Sequence, residues 1–342
     1  MAALGRSRRF TVLMAAALAV FVGWSIAWFI IATYVDRHVE RAQIQLADKD
    51  IDLECAQRKV TGFPFRIELR CAHGTHVSAP TGVTKVEGVT VAALIYRPTR
   101  LIMELGGPLS VQSAFWKGLT ADWSLARASA RMDLEGAAMT RLDGEVLNLD
   151  VSYGDLPTAT VSDLNVNLRQ HPERQEDLQF SVRLADLKPQ GTALAERLPS
   201  ANVRIEGVVE DGAMLTEMGG VPRFLAAGTN GIAIVLDGAV VEMDDAQIAL
   251  EGDMLIDGDG HVNGKVAVAI AGIEEGLPSL TGAQEGDPVV DALIRAVSAA
   301  PSGVVAGVEG RTMELTLRRG QVLMGILPLP IRLPPLDLST LQ

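Results

Sequence analysis

The sequence is poor in aromatic residues and in cysteine. Phenylalanine, tryptophan and tyrosine make up 4% of its 342 residues, and no aromatic residue follows Phe224. The last third of the chain therefore lacks the aromatic platforms and anchors on which many proteins bind bases or partner peptides. The two cysteines, Cys55 and Cys71, limit the chain to one internal disulfide.

An excess of positive charge is also missing. The chain has 30 basic and 42 acidic residues, and the 27 basic and 42 acidic residues beyond position 35 give that part a net charge of −15. Such a part repels nucleic acid and anionic lipid headgroups, and no basic patch interleaved with aromatic residues appears. We therefore predict no nucleic-acid partner and interpret the charge as a contribution to solubility.

Common catalytic motifs are absent as well. The chain contains no Gly-x-Ser-x-Gly elbow, no glycine-rich phosphate loop and no His-Glu-x-x-His zinc motif, and it has only five histidines. We predict that the protein is not an enzyme, with no catalytic residues and no cofactor. An envelope enzyme stays as a third hypothesis, which requires polar side chains that converge in a pocket.

One long apolar run stands near the N-terminus. Residues 10–35 include no charged residue. At about 1.5 Å per helical residue, this run is long enough to cross a hydrocarbon core of about 30 Å. Aromatic residues gather toward its far end, where an aromatic belt would lie: Trp24, Trp28, Phe29 and Tyr34.

The arginines before this run set its predicted orientation. Arg6, Arg8 and Arg9 precede it, and the positive-inside rule then places the N-terminus in the cytoplasm. We predict a single-pass protein of the bacterial inner membrane with a periplasmic C-terminal domain. A cleaved signal peptide and a buried helix of a soluble protein are the alternatives. Cleavage is disfavoured because the apolar run continues through Trp28 beyond the small residues at 25–27.

The cysteines and two nearby histidines form the one cluster of soft metal ligands. Cys55, Cys71, His73 and His76 could hold zinc. Across the membrane the compartment is oxidising, so we predict a disulfide between Cys55 and Cys71 and no metal site. A second pattern, Asp257-Gly258-Asp259-Gly260, lacks the ligand spacing of a calcium loop, and we interpret it as a tight hairpin turn.

Beyond the apolar run the hydrophobic period changes from helical to alternating. A helical stalk is predicted to position 48, followed by short strands at regular spacing. The fold class is therefore mainly β, an N-terminal transmembrane helix followed by a large antiparallel curved sheet or open barrel with a few short helices. Turns are predicted at 106–108, 237–238, 244–245, 257–260 and 318–320, and helices at 192–197, 213–227 and 288–300.

The chain is divided into three predicted parts. Residues 1–35 form a cytoplasmic stub and transmembrane anchor, residues 36–190 an N-terminal β-rich half, and residues 191–342 a C-terminal β-rich half with short helices. The break between the halves is placed near 187–199, where the alternating pattern is lost. No low-complexity linker and no strict repeat mark another boundary.

Several short motifs together resemble a known family. They are Gly62-Phe63-Pro64-Phe65-Arg66 near a cysteine, Tyr96-Arg97-Pro98, the two tryptophans of residues 116–129, and a Gly320-x-x-x-x-Gly325 hairpin before a proline-rich tail. This combination is similar to the uncharacterised proteobacterial envelope family catalogued as domain of unknown function 2125. The family has no established activity, so the resemblance implies no catalytic residues. A weaker, fold-level resemblance is to AsmA-like anchored β-rich envelope proteins, which implies an apolar groove and a role in lipid movement.

The resemblance singles out five candidate contact residues: Phe63, Phe65, Arg66, Trp116 and Trp123. Their alternative interpretation is structural, with Arg66 paired to a neighbouring carboxylate and the tryptophans packed in an aromatic patch of the core. The function predicted is a membrane-anchored module that binds or transports lipid or another apolar ligand. The alternative is a non-enzymatic envelope scaffold that binds another envelope protein.

Overall fold

The architecture is known from a computed structural model. It describes residues 4–48, 50–55, 57–79, 82–113, 117–133, 138–154, 158–191, 199–217, 231–244, 246–272, 295, 297–325 and 327–335. The predicted helix at 192–197 lies outside these residues, and that at 288–300 lies mostly outside them. Of the helix predicted at 213–227, the described start forms a short 3₁₀ helix, Gly212–Thr216.

A single long helix opens the chain. Helix α1 spans Leu4–Ala47, which confirms the predicted stalk. A helix satisfies its own backbone hydrogen bonds, and two hydroxyls within α1 are satisfied the same way, because Ser25 donates to the Phe21 carbonyl and Thr33 to the Phe29 carbonyl. The segment Phe10–Ala47 is long and apolar enough to span a membrane.

Eighteen strands follow in the described part of the chain, and all of their pairings are antiparallel. Their bounds are β1 Asp52–Cys55, β2 Lys59–Thr61, β3 Arg66–Ala79, β4 Gly82–Leu94, β5 Arg97–Ser113, β6 Lys117–Asp122, β7 Leu125–Met132, β8 Met139–Tyr153, β9 Thr158–Gln170, β10 Leu178–Gln190, β11 Ala201–Val209, β12 Ile232–Met243, β13 Ala246–Ile256, β14 Val262–Ala271, β15 Ser302–Val305, β16 Val308–Arg318, β17 Gln321–Met324 and β18 Leu327–Arg332.

These strands form one sheet, and their pairings nearly follow the order of the chain. Strands β1 and β2 both pair with the outer edge of β3, and β6 and β7 both lie between β5 and β8. At the other end β16 pairs with β14, β15 and β17, and the proline-containing β18 closes the edge. The predicted mainly β fold with a large antiparallel sheet is therefore confirmed.

Two predicted turns are wrong. Residues 106–108 lie inside β5 and residues 237–238 inside β12, and the register shifts at both places as in a β-bulge. At each bulge a residue from another strand or loop lies so close to a glycine that a side chain there would contact it. A Cβ on Gly106 would lie 3.3 Å from the Gly88 nitrogen, and one on Gly238 would lie 2.9 Å from the Ala306 Cβ. The predicted turns at 257–260 and 318–320 do join neighbouring strands.

The fully buried apolar clusters lie toward the C-terminal end of the sheet. One gathers around Val240, Ala249 and Ala269, and the other around Val268 and Leu317. No large side chain of the described residues is less than 2% exposed. The predicted division near 187–199 stays a prediction, and β10 and β11 on its two sides are hydrogen-bonded to each other.

Candidate functional site

One face of the sheet is apolar over twelve successive strand positions. Residues that pair across antiparallel strands point to the same face. The middle row of this apolar face consists of Leu69, Val91, Met103, Ala128, Gly144, Val166, Val182, Ile205, Ala239, Leu250, Val268 and Met313.

The two cross-strand rows on either side of the middle row are also apolar. On one side lie Ile67, Ala93, Leu101, Ala130, Leu142, Leu168, Phe180, Gly207, Leu236, Gly252, Val266 and Leu315. On the other lie Cys71, Val89, Leu105, Ala126, Val146, Leu164, Leu184, Val203, Val241, Ile248, Ile270 and Arg311. Arg311 is the one charged residue in the three rows.

This apolar face is only partly covered. In the middle row every residue from Leu69 to Leu250 is half-buried, and the first buried residue is Val268 in β14. Leu105 in the neighbouring row is 43% exposed. Within the described residues no second sheet packs on this face, because all eighteen strands belong to one sheet. A contiguous apolar surface of this extent marks a binding or interaction site.

The opposite face of the same strands is polar from β5 to β11, whereas in β12–β14 it carries the buried cluster of Val240, Ala249 and Ala269. Glu104, Arg127 and Glu145 stand in one cross-strand row, and the Arg127 Nε donates to Glu145 at 2.6 Å. The next row contains Asp143 and Asn167. An antiparallel sheet with one solvated face shows this alternation. The apolar face is therefore the candidate binding surface of the sheet.

The Gly-Phe-Pro-Phe-Arg segment packs against α1. The Phe63 ring lies edge-on to Trp28, with 5.6 Å between ring centroids, and to Phe21 at 6.2 Å. The Trp28 indole donates to the Arg66 carbonyl at 2.9 Å, and Trp24 Nε1 donates to the backbone carbonyl of residue 64 at 2.8 Å. Trp28 is only 5% exposed. The segment is therefore the contact between the sheet and the apolar helix.

Further contacts show that β1 and the residues after it, on the edge of β3, also lie beside α1. Asp36 forms an ion pair with Arg58 at 2.8 Å, and the Gln43 amide donates to the Leu53 carbonyl at 2.8 Å. Leu53 pairs with Val77 near the end of β3, whereas Trp28 contacts the residue that begins it. As α1 proceeds from position 28 to 43, β3 proceeds in the same direction from 66 to 77.

The described members of the five predicted contact residues lie at two separate places. Phe65 is 63% exposed at the helix contact, and Arg66 forms an ion pair with the buried Glu68 at 3.0 Å, as its structural interpretation expected. Trp123 lies elsewhere, at the break between β6 and β7, where its indole donates to the Leu105 carbonyl at 2.9 Å. Trp116 lies outside the described residues, and the contact role of all five stays a prediction.

The predicted disulfide is confirmed. Cys55 and Cys71 are bonded, with their Cα atoms 5.2 Å apart, and the bond links β1 to β3. Sulfur atoms in a disulfide are not thiolates, so the zinc alternative loses two of its four ligands. His76 lies 3.9 Å from a Glu54 carboxylate oxygen.

The hairpin between β13 and β14 is held by one carboxylate. Asp257 Oδ1 accepts backbone N–H groups of His261 at 2.9 Å and Asp259 at 3.1 Å, and Oδ2 accepts the Asn263 amide at 2.9 Å. Asp257, Asp259 and His261 lie close enough to share a cation, but Asp259 pairs with Arg319 at 3.1 Å. The structure thus matches the interpretation as a hairpin turn.

We expect Asp257→Asn to destabilise the protein at pH 7 more than at pH 3. The His261 backbone N–H, followed by the Asn263 and Asp259 donors, lowers the pKa of Asp257. A carboxylate with a lowered pKa stabilises the fold above the unfolded pKa of about 3.9, and this contribution is lost as the pH falls through the folded pKa. Urea unfolding of both proteins at the two pH values tests it. A difference that does not shrink at pH 3 contradicts this account.

An apolar groove was expected from the resemblance, but the residues that form the apolar face could not be assigned from individual motifs. Its signal is present as alternation in each strand, such as Val166 and Leu168 against Asn165 and Asn167. The alternation becomes a site only when twelve strand positions align in one sheet. The register supplies that alignment, and no single segment contains it.

Comparison with known protein families gives one match. The family described as "Uncharacterized protein conserved in bacteria (DUF2125)" matches residues 28–331, which include the apolar face and the helix contact from Trp28 onward. No curated protein and no solved structure matches the chain. The resemblance to AsmA-like proteins therefore stays a prediction. Because the match covers most of the chain, the protein belongs to the DUF2125 family.

Proposed function

We propose that this member of the uncharacterised DUF2125 family is a membrane-anchored module that binds the acyl chains of lipids on the apolar face of its sheet. The observation that carries the proposal is the set of three apolar rows, which stay half-exposed over most of the sheet. At about 4.8 Å between strands, the rows extend roughly 50 Å across the sheet. Binding, without catalysis, is the role that this surface supports.

The same proposal places α1 in the bacterial inner membrane as an uncleaved anchor. The apolar helix supports a span, the arginines before position 10 support a cytoplasmic N-terminus, and the disulfide supports an oxidising periplasm for the sheet. The contacts of Trp28 with Phe63 and Arg66 support an uncleaved helix, because cleavage after α1 would remove them. The helix then holds the apolar face beside its source of lipid.

Site-specific photocrosslinking in membranes of the producing cells tests this function. A benzophenone amino acid at Leu184 lies on the apolar face, and the matched position Arg183 lies on the opposite face. The Leu184 side chain is half-buried and that of Arg183 is 63% exposed, so exposure alone favours labelling at position 183. We expect lipid adducts, identified by mass spectrometry, several-fold more often at position 184.

The alternative function gives a different product. An envelope scaffold whose apolar face packs against another protein yields a protein adduct at position 184 and no lipid adduct. Equal lipid labelling at positions 183 and 184 would show that the face has no preference for acyl chains. Either result would reject the proposed function, and the first would favour the scaffold.

A further inference from the structure

Four arginines stand directly opposite one another on four neighbouring strands. Arg100 pairs with Arg131, Arg131 with Arg141, and Arg141 with Arg169. Direct pairing places all four on one face of the sheet, the polar one, and all four are exposed. We name this row the arginine ladder; at about 4.8 Å per strand it is roughly 14 Å long.

The ladder is only partly neutralised, because one of its four arginines has a carboxylate partner. Like charges directly opposite in a sheet destabilise it. Asp143 binds Arg141 through two hydrogen bonds at 2.7 and 2.9 Å, whereas Arg169 donates to the neutral Gln179 at 2.8 Å. Arg100 donates to the hydroxyl of Ser129 at 3.1 Å, and Arg131 has no ion pair or side-chain hydrogen bond within the described part of the chain. An anionic partner would offset the repulsion.

The ladder lies at the end of the strands that contacts α1. Trp28 donates to the carbonyl of Arg66, and Arg66 pairs with Leu94, which in turn pairs with Arg97 at the start of β5. Arg100 follows three residues later. Trp28 lies among the aromatic residues at the far end of the apolar run, which are typical of the boundary between hydrocarbon and headgroups. The ladder is therefore level with the lipid headgroups.

Exposed aromatic residues occupy the same end of the sheet. Phe65 is 63% exposed and Tyr96 is 67% exposed, and the backbone N–H of Ile95 between β4 and β5 donates to the Phe65 carbonyl. Aromatic side chains are enriched at the level where hydrocarbon meets headgroups. Aromatic and basic residues at one level are the combination that binds an anionic membrane surface.

We propose that the arginine ladder docks this end of the sheet on the phosphates of anionic phospholipids in the bilayer that holds α1. The inference rests on the proposed anchoring. Guanidinium–phosphate hydrogen bonds supply the counter-charge that Arg100, Arg131 and Arg169 lack within the described sheet. The net charge of −15 beyond position 35 led to the expectation that this part repels anionic headgroups, and the ladder is a local exception to it.

The test compares lipids retained by the full chain. The protein is extracted from vesicles of phosphatidylcholine and phosphatidylglycerol in equal amounts, and native mass spectrometry gives the ratio of the two lipids bound. We expect the triple variant Arg100→Gln, Arg131→Gln, Arg169→Gln to reduce the phosphatidylglycerol preference about fivefold or more, since each basic residue near an anionic surface contributes a comparable factor. Arg141 is kept because Asp143 already pairs with it.

A triple variant of equal charge change is the control. Arg183→Gln, Lys188→Gln and Arg204→Gln replace exposed residues farther from the α1 end, where position 183 lies about 13 Å along β10 from Gln179. We expect this variant to keep the wild-type ratio. Equal loss in both variants would show a general charge effect and overturn the proposal, as would no loss in either.

Two further measurements keep the result interpretable. If the ladder triple variant does not fold, the single change Arg131→Gln removes the guanidinium that has no described partner, and a ratio unchanged in it would overturn the proposal. The three Arg→Lys changes keep the charge and are expected to keep the preference. Lipid labelling from position 184 is expected to persist in the ladder variant. A negative result for the ladder would therefore not contradict the binding of acyl chains on the apolar face.

Discussion

Trp28→Ala is expected to lower the free energy of unfolding by about 3–5 kcal/mol, the range for truncation of a buried tryptophan. The Trp28 side chain is 5% exposed and packs edge-on against Phe63. Its removal leaves a cavity between α1 and the sheet, and it also leaves the Arg66 carbonyl without its indole donor. Urea unfolding of the full chain in detergent micelles measures the loss.

The neighbouring Phe29 supplies the control for this prediction. Phe29 is 63% exposed and its ring lies edge-on to Trp28 at 5.3 Å, so Phe29→Ala removes one exposed aromatic contact from the same turn, and we expect a loss of only about 1 kcal/mol. Trp28→Phe keeps an aromatic ring but loses the hydrogen bond, which contributes about 1 kcal/mol, and part of the buried ring volume, so we expect its cost to lie between those of the two alanine variants. A Trp28→Ala variant as stable as Phe29→Ala would mean that α1 and the Phe63 segment do not depend on each other.

Replacing both cysteines with serine is expected to destabilise the chain by about 3 kcal/mol, the chain-entropy estimate for a loop of this size. Cys55 and Cys71 are 16 positions apart, and the disulfide holds the four-residue β1 on β3. Without it β1 is joined to the sheet by a short ladder only. The measurement is the free energy of unfolding by urea titration, with and without reductant.

The reductant provides the internal comparison. Reduced wild-type protein should unfold with the free energy of the double variant, and the double variant should not respond to reductant. A reductant effect on the double variant would show that another process is being measured. If the oxidised protein and the variant have the same stability, the bond does not constrain the unfolded chain in the way proposed.

The sequence predicted those parts of the fold that depend on neighbouring residues. The turns at 257–260 and 318–320 are local, because their Asp, Gly and Arg residues adopt the hairpin conformation within a few positions. The turns at 106–108 and 237–238 failed for a different reason. Gly88 and Ala306, the residues that require glycine there, are distant in sequence, so the same dipeptides that form turns elsewhere became bulges inside long strands.

The sequence predicted one side of the contact between α1 and the sheet but not the other. The Phe63–Arg66 segment was singled out as a contact, but its partner could not be identified, because Trp28 lies in an apolar run that sequence patterns assign only to a membrane. The net charge of the part beyond position 35 also failed to indicate the arginine ladder. A net charge sums over the chain, whereas the register brings together four arginines whose successive members are 10 to 31 positions apart along the sequence.

The nearly sequential order of strands has a consequence for how the chain reaches its native state. From β3 to β14 each strand pairs with the strand next to it in the chain or with the one after that. The sheet can therefore grow at one edge during synthesis, beginning with β3 beside α1. Each strand then finds its pairing partner among strands made shortly before or after it. Contacts between neighbours in sequence favour rapid folding, so few unpaired strand edges are exposed to aggregation on the way.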